Sequence, residues 1–326
     1  MKRREFITLF GGAAAWPFAA LAQPSNMPVV GFLSARAPGE SADLVEAFRS
    51  GLKERGFVDG QSAKIEFRWA HGDYGHLPAL AAELVRAQVA VIATLGGDPS
   101  ALAAKAATST IPIVFAIGSD PVKTGLVESF NRPGGNVTGV TTSTNLMEPK
   151  RLALLRELAP GVAVVGALVN PKFPAAVAQA KDIEEAGRAV SQRIVFANAS
   201  ADAELDAAFE SLVKAGIGAL LVAADPYLDT RRDRIIAFAA RQRLPAIYQF
   251  RQFALAGGVL SYGLSFTDVY RQVGRYAGAV LSGAKPSDLP VEQVTKFELV
   301  INMKTARALG IKISDNLLSL ADEVIE

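Results

Sequence analysis

From Met27 onward, short runs of β-branched apolar residues alternate with helix-period patterns along most of the chain. Parallel strands cannot be joined by a tight turn. A strand followed by a helical crossover and another strand therefore predicts βαβ units and a parallel sheet. Val29–Leu33 reads as the first strand, and Leu44, Val45, Phe48 and Leu52 then recur at helical spacing before Gly56, a residue suited to a left-handed helix end. Strands are predicted at Ile65–Trp69, Val89–Leu95, Ile113–Phe115 and Val137–Val140, with helices near Leu77–Ala87 and Ser100–Thr108. A turn-rich stretch, Arg132–Asn136, closes this half. A second series runs from a helix around Met147–Leu158 through strands at Val162–Val169, Arg193–Phe196, Ala219–Val222 and Ala246–Phe250. Helices at Ala176–Val190, Ala201–Ala215 and Arg231–Arg241 separate those strands. Two alternating halves in 326 residues predict two similar α/β lobes, since single cores stop growing near about 250–300 residues.

Four of the strand-like runs end in an acid or amide followed by proline: Asp98-Pro99, Asp120-Pro121, Asn170-Pro171 and Asp225-Pro226. Locally this is helix-start chemistry, because Asp and Asn accept from unpaired helix N–H groups and Pro fits the first helical position. All four nevertheless fall at the carboxyl ends of predicted parallel strands, where open α/β sheets bind ligands. Two come from each half, so a cleft between facing lobes would collect both pairs.

The residues before Met27 read as an address rather than as part of the fold. Lys2, Arg3 and Arg4 precede the uncharged stretch Phe6–Ala19, and Ala20-Leu21-Ala22 before Gln23 has the form of an A-x-A cleavage site. Arg3-Arg4-Glu5-Phe6-Ile7 is similar to a twin-arginine signal, although Lys2 stands where Ser is usual, so both the twin-arginine and Sec routes stay open. Loss of residues 1–22 would remove three cations and Glu5, taking the formal charge from +2 to zero. No nucleic-acid partner is indicated for a neutral chain without a basic, aromatic-interleaved cluster. The expected location is periplasmic.

Chemistry is sparse. With no Cys at all, the chain has no disulfides, thiolate metal sites or Cys nucleophiles. His71 and His76 are the two histidines, and no ligand cluster completes a metal site around them. The G-x-S-x-G, G-x-G-x-x-G and G-x-x-x-x-G-K-[ST] patterns are all missing, so no cofactor and no enzymatic activity are expected. What remains is a set of small polar and aromatic residues near strand ends: Ser34, Gly96, Gly97, Asp98, Ser119, Asp120, Asn170, Asp225, Tyr227, Tyr248, Ser261 and Tyr262. Such a group suits a small solute with polar ends and an apolar body, a buried Asp pairing with an ammonium and aromatics covering the remainder.

Several blocks carry a resemblance. Val30–Ser34, Gly51–Phe57, Asp120-Pro121-Val122 with Gly125-Leu126-Val127, Arg132–Gly139, Phe297–Asn302 and the ending Ala321–Glu326 resemble substrate-binding components of ABC transporters related to tryptophan/tyrosine-type binding proteins. That family has the type I periplasmic binding protein fold. The resemblance implies two doubly wound lobes joined by a hinge. Residues 1–22 would be the signal peptide, 23–143 plus about 262–298 lobe one, and 144–261 plus about 299–326 lobe two. It implies crossings near Thr141–Leu146, after Ser261 and near Leu299, a small-molecule solute and ABC permease subunits as partners, and a monomer. Carried over by position, Ser34, Gly97, Ser119 and Asp120 would face the solute from one lobe, and Asn170, Asp225 and Tyr248 from the other. Some relatives have small hydroxyl residues where this chain has Gly96-Gly97-Asp98. Here Asp98 adds a negative charge where a ligand carboxylate is expected, unless it caps the following helix. The resulting expectation is an exported solute-binding protein taking an amino acid or aromatic or organic acid. The alternatives are an exported α/β enzyme and a ligand-sensing domain of the same fold.

Overall fold

The computed structural model describes residues 27–326; the expected export signal lies outside them. The first half runs β1 (Val29–Ser34), α1 (Ala42–Lys53), β2 (Lys64–Trp69), α2 (Leu77–Arg86), β3 (Val91–Thr94), α3 (Asp98–Ala107), β4 (Ile113–Ile117) and β5 (Val137–Thr141). The second half begins with α4 (Glu148–Leu158), β6 (Val164–Val169), α5 (Ala176–Ala189), β7 (Arg193–Asn198), α6 (Asp202–Lys214) and β8 (Ala219–Val222). It continues through α7 (Pro226–Thr230), α8 (Arg232–Arg241), β9 (Ala246–Tyr248), α9 (Arg251–Leu255) and β10 (Leu260–Leu264). The chain ends with α10 (Phe266–Leu281), β11 (Glu292–Gln293), β12 (Phe297–Asn302), α11 (Met303–Leu309), α12 (Asp315–Leu320) and β13 (Glu323–Ile325), and everything from α9 onward lies beyond the last strand read from the sequence.

The alternating pattern folds as its period demands. Helix α1 buries Leu44, Val45, Phe48 and Leu52 on one face, and Gly56 follows it with φ +87°, the left-handed conformation that ends a helix. Strands β1, β3 and β4 are buried almost throughout because helices cover both faces of the sheet. One six-stranded sheet has the order β2-β1-β3-β4-β5-β11, and a seven-stranded sheet has the order β7-β6-β8-β9-β10-β12-β13. Read from β1 and from β6, both start on the same doubly wound order, so the halves are copies of one architecture without a strict sequence repeat. All pairings are parallel except β10 with β12, whose register sets Tyr262 opposite Leu299. This antiparallel edge departs from the all-parallel reading, because β12 arrives directly from the other sheet rather than through a crossover helix.

The chain passes between the sheets at three places: after β5, between β10 and α10, and between β11 and β12. Helix α10 belongs to the first sheet's layer although it follows a strand of the second. Its seat against α1 depends on two glycines: a Cβ at Gly51 would lie 1.9 Å from the Arg271 carbonyl oxygen, and one at Gly274 would lie 2.2 Å from that of Phe48. The first passage is pinned by a fully buried ion pair in α4, Arg151 Nη1 to Glu148 Oε1 at 2.8 Å. Arg151 also donates to the carbonyls of Tyr262 and Thr144, and Glu148 accepts from the Ala224 N–H. One buried pair thus joins two of the passages to the end of β8.

Candidate functional site

In a doubly wound sheet the strand order reverses beside the first strand, and the loops leaving either side of that point diverge to form a crevice. Here the two crevices face each other. Beyond β1 and β3 lie Arg36 and Gly96-Gly97-Asp98; beyond β8 and β9 lie Ala224, Asp225, Pro226, Asp229 and Phe250. Together with Phe173, the passage residues Thr142, Thr144 and Asn145, and Phe266 and Tyr270 from α10, they line a narrow cavity of about 30 Å³ between the lobes.

The lobes touch across it through charge. Arg36 Nη1 lies 2.5 Å from Asp229 Oδ2, both side chains nearly buried, and the Arg36 guanidinium also sits over the rings of Phe250 and Phe266 at 5.1 and 5.5 Å. Asp229 Oδ1 accepts from Gln249. The Tyr74 hydroxyl donates to Asp225 Oδ2 and accepts from the Tyr227 N–H at 3.1 Å. Burial pushes the Asp225 carboxyl up to about 7 against the pull of Tyr74 and Leu228, and Asp229 up to about 6 against the pull of Arg36. Burial is the largest single influence on the Arg36 guanidinium and weakens its charge, but Asp229, Tyr270 and Glu40 together outweigh it and hold the group more firmly protonated than usual.

The four strand-end pairs divide into different roles. Asp225 caps α7, its Oδ1 accepting from the Leu228 N–H at 2.8 Å, while Oδ2 takes Tyr74 and the Asn170 amide at 3.1 Å. Asn170 Oδ1 accepts from the Lys172 N–H at 3.0 Å, and Asp120 accepts from the N–H groups of Val122 and Lys123. Asp98 does not cap. The N-cap of α3 is Gly97, and Asp98 turns its Oδ2 toward the Asn145 amide at 3.3 Å. Its Oδ1 meets no donor in hydrogen-bonding geometry, although Ser119 and the N–H groups of Asp98 and Gly118 lie near enough to favour the charged form. Burial outweighs them and raises this carboxyl above its ordinary value.

Of the residues singled out in sequence, Gly96, Gly97, Asp98 and Asp225 line the cavity. Both glycines have positive φ. A Cβ on Gly96 would strike the Ala35 nitrogen at 2.6 Å and Ser34 Oγ at 2.8 Å, and one on Gly97 would face Pro226 of the opposite lobe at 3.2 Å. Ser34, Ser119 and Asn170 stand behind the lining: Ser34 Oγ accepts from the Arg36 N–H, and Ser119 Oγ accepts from Asn145. Asp120 holds its own turn. The other four sit in packing positions. Tyr248 stacks on Phe253 with ring centres 4.6 Å apart, Tyr262 stacks on Phe297, Tyr227 lies under the Arg231 guanidinium, and Ser261 is buried within β10. A strand-end position does not fix which face a side chain takes. The residues that sequence reasoning passed over are Arg36, Asn145, Phe173, Asp229, Phe250, Phe266 and Tyr270. Arg36 and Phe250 follow strand ends and were accessible to the same rule; Asp229 lies one turn beyond Asp225, and Phe266 and Tyr270 form an i,i+4 pair.

With this geometry in place, the model of the family described as ABC transporter substrate binding protein matches residues 34–325. The chain belongs to that family. It is 29% identical over 267 residues to a tyrosine-binding protein of Clostridioides difficile, covering 82% of this chain and 76% of that one. A conserved domain protein from Vibrio cholerae superposes with a TM-score of 0.83 at 25% identity, covering 91% of this chain and 99% of that one. An ABC domain from Streptococcus pneumonia in complex with L-Trp superposes at 0.81 and 24% identity, with the same coverage. The architecture is that of type I periplasmic binding proteins, as the family resemblance implied. Among the described residues no helix is long and apolar enough to cross a membrane.

Proposed function

We propose that this family member is exported, captures a small organic solute between its two lobes and delivers it to an ABC permease without altering it. The observation that carries this reading is a cavity lined from both sheets at their reversal points. A solute held there contacts both lobes, and contacts made only in the shut form are what bias a hinge toward closing. The lining supports an aromatic or otherwise apolar body, since Phe173, Phe250, Phe266 and Tyr270 surround polar groups at Asp98 and Arg36. An amino acid or related compound is the favoured class, in keeping with the tyrosine-binding relative and the L-Trp complex. Residues 27–143 with about 265–296, and 144–264 with about 297–326, would move as the two bodies, the later boundaries lying beyond β10 and before β12 rather than within them as the resemblance implied.

The test is to release and identify by mass spectrometry whatever copurifies with residues 23–326, then to screen amino acids and aromatic acids by thermal shift. A ligand raises stability by RT ln(1 + [L]/Kd), so a roughly micromolar binder at millimolar dose is visible. A screen and a release that both come back empty would remove the reading. Recovery of a bound compound in converted form would replace it with an enzyme.

A further inference from the structure

We propose that Asp98 is the residue that reads the charge of the solute, and that the solute presents a protonated nitrogen to its free Oδ1. The inference rests on the solute-capture reading above and narrows its ligand class: ammonium-bearing compounds enter, and purely anionic organic acids do not.

Three carboxylates line the cavity, and two are fully engaged by the protein. Asp225 divides its oxygens between the α7 cap and the Tyr74 and Asn170 donors, and Asp229 gives Oδ1 to Gln249 while its Oδ2, itself without an aligned hydrogen bond, is matched by the Arg36 charge 2.5 Å away. Asp225, one of the strand-end acids the sequence offered as a partner for an ammonium, therefore has no open oxygen to use. Asp98 has one. Its side chain is completely buried, lines the cavity, and leaves Oδ1 without a partner. A buried carboxylate oxygen with no donor is costly until something supplies one, and an organic ammonium supplies both a donor and the opposite charge.

The cation among the lining residues does not offset this. Arg36 is balanced by Asp229 and covered by Phe250 and Phe266. Its Nε and the Tyr270 hydroxyl are also unpartnered, so they can meet a second polar group of the solute. Because the Arg36 charge is already matched, that group need only be a hydrogen-bond acceptor and carries no requirement for negative charge. Asn145 and Ser119 position Asp98 from behind. Gly96 and Gly97, which no side chain could replace cheaply, keep the approach clear.

Calorimetry and thermal shift with six probes test this on the purified protein: L-tryptophan, L-tyrosine, tryptamine, tyramine, indole-3-acetate and 4-hydroxyphenylacetate. Ammonium-bearing probes are expected to bind at least tenfold more tightly than the acetates sharing their rings. Asp98→Asn should weaken the ammonium-bearing probes by tenfold or more and narrow the gap to the acetates, while its unliganded circular dichroism stays that of the parent. Acetates that bind better than amines to the unmodified protein would overturn the assignment, and that ranking needs no variant to fold. So would an Asp98→Asn protein that folds and keeps its amine affinity. Silence from all six probes would also remove it, whereas the capture reading is decided separately by the mass of the copurifying solute.

Discussion

Arg36→Met removes one member of the ion pair that spans the cleft and leaves Asp229 facing a buried, apolar surround. Breaking a buried pair from one side costs about 3–5 kcal/mol, because the surviving charge keeps its desolvation penalty without its partner. In a single-cored protein that cost would fall on the whole fold. Here Asp229 sits at the junction of two lobes whose cores are separate clusters, and parting the lobes returns it to water. The penalty should therefore appear as a shift in the balance between shut and parted forms, by roughly two to four orders of magnitude at 1.36 kcal/mol per tenfold. Small-angle scattering of the ligand-free variant should show a larger radius of gyration, with little change in the circular dichroism of either lobe. The size of the effect should also depend on pH. Asp229 titrates at about 6 with Arg36 present, and losing the cation moves it higher. At pH 5 the carboxyl can take up a proton in place of the missing charge, so the variant should resemble the parent more closely there than at pH 8. An unchanged scattering profile at both pH values, together with a lowered melting temperature, would refute the placement of this cost at the cleft.

Three further outcomes follow from the same structure. Asp225 and Asp229 titrate at about 7 and about 6 because burial favours their protonated forms. Their contribution to stability is complete below about pH 4 and is lost as pH rises through those values, so the ligand-free melting temperature should fall between pH 5 and 8; a rise over that range would contradict the assignment. Gly274→Ala should lower stability by roughly 3 kcal/mol in urea titrations, since its Cβ would stand 2.2 Å from a backbone carbonyl of α1, and a neutral result would mean the helices can separate freely. Arg151→Met leaves Glu148 buried at the passage between lobes and should cost about 3–5 kcal/mol, whereas Glu148→Gln with Arg151→Met together should recover much of it; a double-variant loss equal to the sum of the two single losses would show the pair is not coupled.

The alternation of apolar runs and helical periods determined the fold class by itself, because a strand-helix-strand sequence has essentially one way to cover both faces of a parallel sheet. It also located the strand-end loops, which is how Gly96, Gly97, Asp98 and Asp225 were found. After Phe250 the periodic signal marked no elements, and β10, α10 and β12 emerged from the structure; α10 and β12 are each placed by a lobe they do not adjoin in sequence. The roles of the strand-end residues were likewise a tertiary matter. Asp98 and Asp225 stand in the same local motif, acid then proline after a strand, yet Asp225 caps a helix and Asp98, in the cavity lining, keeps an oxygen without a partner. Tyr248 and Tyr262 carry aromatic rings at plausible positions and spend them on Phe253 and Phe297. Local sequence sets where the backbone turns and which groups are on offer. Whether a group is satisfied by its own chain or left for a solute depends on neighbours tens to hundreds of residues away, such as Tyr74 against Asp225 and Arg36 against Asp229, and only the folded chain brings those together.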